Sequence, residues 1–218
     1  MLQLLAMRYH YLDGVSDKKK SRKNKKFLAL PLIVLFICVY VFAIYLAPSL
    51  PLQPPDRTAK KLVSSQPAEG DNRLYIPQIN VDLAIKESES IDSFVNVAIH
   101  NSLGPGNPDS GGNFVLSANK FSFGLTPQET QARSPFFHLD KLQNGDELFV
   151  DWDGTRYVYK VKNKYSAKES GDKLELPSDN NKLTLYAQNL DGVAVEAEPA
   201  GVVAWNDGKP YVKQGQAN

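Results

Sequence analysis

The sequence predicts a mostly β-stranded domain with one or two short helices, preceded by a single transmembrane helix. One uncharged apolar segment near the N-terminus is long enough to cross a membrane, and from Arg73 onward short extended segments are separated by turn residues. Many short strands at close spacing are typical of a closed β-barrel or a sandwich. We place a basic segment at 1–26, the transmembrane helix at 27–47, a proline-rich tether at 48–72, the β domain at 73–205 and a tail at 206–218.

The apolar segment Phe27–Ala47 has 21 residues and no charge. A helix needs roughly 20 apolar residues to cross a bilayer core. A buried core helix is one alternative, but such a helix is rarely apolar on every side. A cleaved signal peptide is another, although its apolar region is only about 7–15 residues long and ends at a small-residue cleavage site. We therefore expect an uncleaved signal-anchor whose partner is the lipid bilayer.

The charge of the chain is distributed unevenly. The first 26 residues carry eight basic and two acidic side chains, a net charge of +6, whereas the remainder carries −5. Basic residues next to a transmembrane helix favour the cytoplasmic side, so we expect a single-pass protein of the cell membrane with a cytoplasmic N-terminus and an extracellular C-terminal domain. A net-negative domain argues against nucleic acid as a partner.

The only cysteine, Cys38, lies inside the apolar segment. The outer domain therefore has no disulfide, no cysteine nucleophile and no thiolate metal site. The three histidines, His10, His100 and His138, do not have the spacing of a zinc motif. We expect no metal and no cofactor.

Turn residues and alternating apolar residues locate the strands. Asn144-Gly145 and Asp153-Gly154 mark turns, the second of which predicts a hairpin. Near-helical spacing of apolar residues over Ser90–His100 predicts one short helix. The predicted strands centre on Ile76, Leu83, Val115, Phe149, Tyr159, Leu185 and Val195.

Four segments, in order, resemble the sortases, which are cell-surface cysteine transpeptidases with a closed β-barrel. Leu74–Leu83 is similar to the opening IPxIxVD strand pair of that family, and Gly111–Phe121 to the strand that carries its catalytic histidine. Phe137–Leu148 is similar to its FxxLxxLxxGD run, and Leu183–Gln188 to the TLxTC strand that ends at the nucleophile. The resemblance covers about residues 73–200 and implies a closed barrel.

The resemblance also assigns three functional positions, and each has lost its chemistry in this sequence. The cysteine nucleophile corresponds to Gln188, the proton-transferring histidine to Asn119, and the arginine that steadies the oxyanion falls near Gly192. One such substitution could reflect an engineered trap or a wrong alignment. Three together imply a sortase-like barrel without transpeptidase activity, and so no catalytic residues.

The leading hypothesis is a pseudo-sortase that binds or scaffolds at the cell surface. Asn119 and Gln188 each carry a hydrogen-bond donor and acceptor, and with Tyr186 they are candidates to bind an extended peptide or another envelope protein. In a second interpretation, the two amides bond only to each other and fill the former site.

Two further classes of function remain open. A cysteine-independent hydrolase or transpeptidase would need His100 or His138 beside a nearby serine, for which the candidates are Ser117, Ser122 and Ser134. We expect His138 to pack beside Phe136 and Phe137, and His100 to end the short helix. The third class is a passive component of an assembly, for whose function the membrane anchor matters more than any binding groove.

Overall fold

The computed structural model describes residues 25–50, 65–87, 95–166, 181–188, 192–206 and 209–213, with the side chains of 25–28 and 101–105 excepted. The chain has two compact units, Met1–Tyr40 and Val41–Asn218. The second unit contains the whole β domain together with the last residues of the N-terminal helix.

The apolar segment forms a helix, α1 (Lys25–Leu46), as predicted. The segment Ala29–Ser49 is long enough and apolar enough to cross a membrane. A short 3-10 helix, Ala47–Ser49, follows α1, and its residues Ala47 and Pro48 are buried. The first residue of the predicted tether is therefore packed within the second unit, whereas residues 51–64 lie outside the described part of the chain.

Nine strands and one short helix make up the described β domain. Two 3-10 turns, Pro77–Ile79 and Leu139–Lys141, connect neighbouring elements. The helix is α2 (Pro127–Arg133). The strands are β1 (Arg73–Ile76), β2 (Val81–Glu87), β3 (Val97–Asn107), β4 (Gly111–Asn119), β5 (Glu147–Trp152), β6 (Thr155–Ser166), β7 (Lys182–Gln188), β8 (Val193–Asn206) and β9 (Lys209–Lys213).

The strands close into a barrel. Their hydrogen-bonded order is β6-β5-β1-β2-β3-β4-β7-β8, and β6 also pairs with β8, which joins the two ends of this series. The pairs β2–β3 and β4–β7 are parallel and the other pairs are antiparallel. The predicted closed, mostly antiparallel barrel is confirmed, and each of the seven predicted strand centres lies in a strand.

Alternating residues of each strand fill the barrel interior. Leu116 on β4, Leu185 on β7 and Val195 on β8 are fully buried in one apolar cluster, together with Tyr159 on β6. The period of two means that the residues between them point to the outer face. A smaller cluster of Tyr75, Phe149, Val158 and Val203 forms a second apolar layer.

One prediction made from the sequence is corrected here, and the predicted tail contains a strand. Val97–His100, predicted as the end of a helix, is the start of β3, because parallel β2 and antiparallel β4 satisfy both edges of that segment; residues 88–94 lie outside the described part. Within the predicted tail, Lys209–Lys213 forms β9 by pairing with β8. In both cases pairing with a neighbouring strand of the chain overrides the local pattern.

Candidate functional site

The candidate site lies where β4 and β7 end side by side. The two strands are parallel and in continuous register from Asn113 opposite Lys182 to Asn119 opposite Gln188. Neighbouring strands are about 4.8 Å apart, so the last pair places the two amide residues next to each other. The predicted proximity of these two strands and of this residue pair is confirmed.

Backbone hydrogen bonds fix both residues of this pair. The Lys120 N–H donates to the Gln188 carbonyl at 2.7 Å, and the Phe136 N–H donates to the Asn119 carbonyl at 3.1 Å. Asn119 is buried at 6% exposure, whereas Gln188 is partly exposed. The end of β7 is therefore the more accessible half of the pair.

Polar groups also line the outer face of β4 and β7 behind the pair. The Thr184 hydroxyl donates to Asn113 Oδ1 at 2.7 Å, and both residues are buried. Ser117 is 1% exposed, and its hydroxyl donates to the Ile99 carbonyl at 3.4 Å. Near the end of β7, Tyr186 and Gln188 are partly exposed and therefore accessible to a ligand.

The third assigned position, Gly192, lies beside the same pair. Ala187 of β7 pairs with Val193 of β8, so Gln188 and Gly192 are the next residues beyond the last pair of this ladder. Gly192 is buried and carries no side chain. The three positions thus bring together two carboxamides and a glycine. None of these groups is a nucleophile, a titratable acid or base, or a cation.

The two histidines of the β domain, His100 and His138, pack against aromatic rings. The His100 ring lies 4.8 Å from the Phe114 ring and 5.9 Å from the Trp152 ring. The His138 ring lies 5.0 Å from that of Phe137, as predicted.

The hydrogen bonds of His138 do not support a serine–histidine site there. Its Nδ1 atom is buried without a hydrogen-bond partner, and the ring donates a hydrogen bond to the backbone carbonyl of Pro48. Burial, together with the charge of Lys141, lowers the pKa of His138. The Ser134 hydroxyl donates to the Ser122 carbonyl at 3.3 Å, which commits it to the loop backbone.

A cleft of about 860 Å³ was not foreseen from the sequence. It is lined by Pro48–Leu50, by Gln78–Leu83, and by parts of α2 and the segment that runs to Lys141. Asn96 completes the lining, so four separate parts of the chain create the cleft and no local sequence pattern indicates it. Besides amide and hydroxyl groups, its lining includes His138, Lys141 and Asp82, and the Asp82 carboxylate accepts hydrogen bonds from Arg73.

Comparison with known proteins places this architecture in a family. A family model described as the sortase domain matches residues 74–189. No curated protein matches the chain.

Solved sortases cover most of the β domain at low identity. Sortase E1 from Streptomyces coelicolor, with a tripeptide in its active site, is 20% identical over 65% of this chain and 91% of its own, with a TM-score of 0.49. A sortase D5 transpeptidase from Clostridium perfringens is 22% identical over 66% and 87%, with a TM-score of 0.49. Listeria monocytogenes sortase A is 15% identical over 66% and 91%, with a TM-score of 0.47.

The family assignment thus depends on the family model and not on these distant structural likenesses. The match begins in β1, includes both strands of the candidate site, and ends one residue after Gln188. Because it spans more than half of the 218 residues, the chain belongs to the sortase family.

Proposed function

We propose that this protein is a membrane-anchored sortase-family domain of the cell surface that lacks transpeptidase activity and binds an extended peptide segment of another envelope protein. The observation that carries the proposal is the pairing of Asn119 with Gln188 at the ends of β4 and β7. The strands that form the family's site are retained there, while two amides and a glycine stand at the positions of the side chains required for acyl transfer.

The chemistry of acyl transfer explains why the loss is complete. Transpeptidation requires a nucleophile that attacks a carbonyl and an acid that protonates the leaving amine. A carboxamide does neither near neutral pH, and the single cysteine of the chain, Cys38, lies in the apolar helix. Nucleophile, proton donor and oxyanion donor act as one unit, so removal of the nucleophile alone abolishes most of the rate.

Amide side chains can form hydrogen bonds with the backbone of an extended peptide. Gln188 offers one carbonyl acceptor and two N–H donors, which match the alternating donors and acceptors of a peptide backbone. Tyr186 lies two residues earlier on the same face of β7 and adds a partly exposed aromatic ring. The function inferred is therefore binding or scaffolding, with the anchor holding the site at the membrane surface.

The activity test uses the full chain in nanodiscs. A pool of sorting-type peptides is incubated with an amine acceptor, and cleavage and transfer products are measured by mass spectrometry beside an active sortase as positive control. The wild type and Cys38→Ser should both match the protein-free rate. Gln188→Cys should recover little, because Asn119 and Gly192 still lack the other two groups. Turnover by the wild type above the protein-free rate would contradict the proposal.

Binding is tested with the same peptides immobilised on a sensor surface. Truncation of one hydrogen-bonding group costs about 1 kcal/mol, so Gln188→Ala should weaken binding about fivefold. Tyr186→Ala should weaken it more, since aromatic side chains dominate interfaces. Gln143→Ala, an exposed amide on another turn, is the matched control and should bind as the wild type does. Equal affinity of all three variants would place the binding site elsewhere.

A further inference from the structure

The segment Lys120–Thr126, here called the aromatic loop, exposes apolar side chains directly after β4. Leu125 is 82% exposed and Phe123 is 61% exposed. By contrast, Phe114 and Phe136 in the same region are buried at 1% and 0%. In the described part of the second unit, Leu125 is the most exposed large apolar side chain.

Hydrogen bonds hold the aromatic loop in this conformation. The Gly124 N–H donates to Thr130 Oγ1 at 2.9 Å, and the Leu125 N–H donates to Glu129 Oε2 at 2.8 Å. At Gly124 a Cβ atom would lie 2.6 Å from the Thr130 nitrogen, so no larger residue fits without a shift. The fold therefore specifies the exposure of Phe123 and Leu125, which is not a consequence of a loose loop.

The α2 N-terminus strengthens this arrangement. The Thr126 hydroxyl caps α2 by accepting from the Glu129 N–H at 3.1 Å, and Glu129 pairs with Arg133 one turn later at 2.8 Å. These bonds direct the polar groups of α2 toward the loop backbone. The side chains of Phe123 and Leu125 remain exposed in this arrangement.

A chain of aromatic rings connects the loop to the end of the apolar helix. Tyr45, in the last turn of α1, lies 5.8 Å from Phe121, ring centre to ring centre, and Phe121 lies 4.7 Å from Phe123. Tyr45 belongs to the same compact unit as the loop and lies near the end of the candidate membrane span, Ala29–Ser49. Tyrosine is enriched where helices leave the hydrocarbon core of a bilayer.

We propose that the aromatic loop docks into the interfacial layer of the same phospholipid bilayer that α1 crosses, with Phe123 and Leu125 inserted among the lipids. The inference rests on the membrane anchoring proposed above. Continuity of the apolar surface from Tyr45 through Phe121 to Phe123 identifies the bilayer as the occupant. Since Glu129 and Arg133 neutralise each other, insertion should not require anionic lipids.

The test measures lipid exposure of a nitroxide label in the full chain, reconstituted in vesicles of neutral phosphatidylcholine. Leu125→Cys and Phe123→Cys are each made in the Cys38→Ser background, where the label has one site. Collisions with oxygen report lipid, and collisions with a water-soluble nickel complex report water. Two reference sites are Phe36→Cys on α1, 72% exposed, and Val95→Cys on the barrel, 41% exposed.

Docking predicts that labels at 123 and 125 have an oxygen-to-nickel collision ratio severalfold above that at 95 and close to that at 36. A water-like ratio at both loop sites, with a lipid-like ratio at 36, would overturn docking while leaving the anchor intact. A water-like ratio at 36 would instead reject the anchor. Low collision rates with both reagents at 123 and 125, or spin–spin broadening between copies, would assign the surface to a protein contact and overturn the proposal.

Discussion

Arg156 is a fully buried cation outside the main core. Its side chain is 1% exposed and forms two hydrogen bonds with Asp151, from Nε to Oδ1 at 2.6 Å and from a terminal nitrogen to Oδ2 at 2.7 Å. The guanidinium carbon also lies 5.2 Å from the Tyr75 ring and 5.8 Å from the Trp205 ring. Two hydrogen bonds and two rings thus compensate the loss of water around the charge.

Removal of one partner should be strongly destabilising. We expect Asp151→Ala to lower the free energy of unfolding by about 3–5 kcal/mol, because it removes the carboxylate that forms two hydrogen bonds with a buried guanidinium. The double variant Asp151→Leu with Arg156→Met should recover much of this loss. Urea denaturation followed by tryptophan fluorescence measures both.

The control for this prediction is an exposed ion pair between the same two strands. Lys160 and Glu147 lie 3.7 Å apart with more than two fifths of each side chain exposed. Lys160→Ala should change the unfolding free energy by less than about 1 kcal/mol. An Asp151→Ala variant as stable as Lys160→Ala would show that the buried pair contributes little.

His138 should make stability depend on pH near neutrality. Burial and Lys141 lower its folded-state pKa from the usual 6.5, so the folded protein binds fewer protons than the unfolded chain. The unfolding free energy should therefore fall as pH decreases from above 6.5 to the folded pKa. His138→Phe should lose this dependence, as measured by urea denaturation between pH 5 and 8. Identical pH profiles of wild type and variant would contradict the assignment.

Some of these residues were predictable from the sequence and others were not. Asn119 and Gln188 follow recognisable strand patterns and were placed together in advance, although their proposed role still requires the binding test. Arg156 appeared as an ordinary residue of an alternating strand. Its burial depends on Trp205, which is 49 positions away, and no local pattern encodes that contact.

Glu196 connects three strands of the barrel. On β8 it accepts hydrogen bonds from Lys182 of β7 at 3.0 Å and from Tyr165 of β6 at 2.7 Å. Burial raises the pKa of Glu196, but these hydrogen bonds outweigh burial and lower it below the usual 4.5. The ionised form is therefore stabilised by the folded state, and this contribution is present above pH 4.5 and lost as pH falls through the folded pKa.

Glu196→Gln should lower the unfolding free energy at pH 7 by about 1.5 kcal/mol, the lower end for hydrogen bonds to a charged group. The difference from wild type should shrink as pH falls below about 4.5. Glu198→Gln is the control, since the ion pair of Glu198 with Lys162 is more than half exposed. A difference that stays constant with pH would exclude ionised Glu196 as its source.

The elements that were predicted correctly share a strong local signal. β6 and β7 alternate apolar and polar residues and begin or end at clear turns, so their positions were evident. β9 has only two apolar residues, Tyr211 and Val212, between lysines, and all five of its residues are exposed. It forms because β8 offers an unpaired edge. The start of β3 has near-helical spacing of apolar residues, and its pairing with β2 and β4, the strands before and after it in the chain, makes it a strand.

At the scale of the whole molecule, the charge asymmetry predicts one orientation. The +6 segment before α1 should stay in the cytoplasm and the β domain should lie outside. Protease added to intact cells should therefore remove the β domain and spare an N-terminal epitope tag. Permeabilised cells, in which both ends are digested, are the control. A β domain protected in intact cells and digested only after permeabilisation would reverse the orientation.

The exposed strand β9 has a consequence for self-association. Among the described strands β9 pairs with β8 alone, so its other edge carries unsatisfied backbone groups that invite a further strand. Pro210 removes one N–H donor from this short strand, and Lys209 and Lys213 put a positive charge at each of its ends. A second β9 would bring like charges together. This end of the sheet thus resists fibril-like stacking, and it would do so also between copies that the proposed anchor brings close together in one membrane.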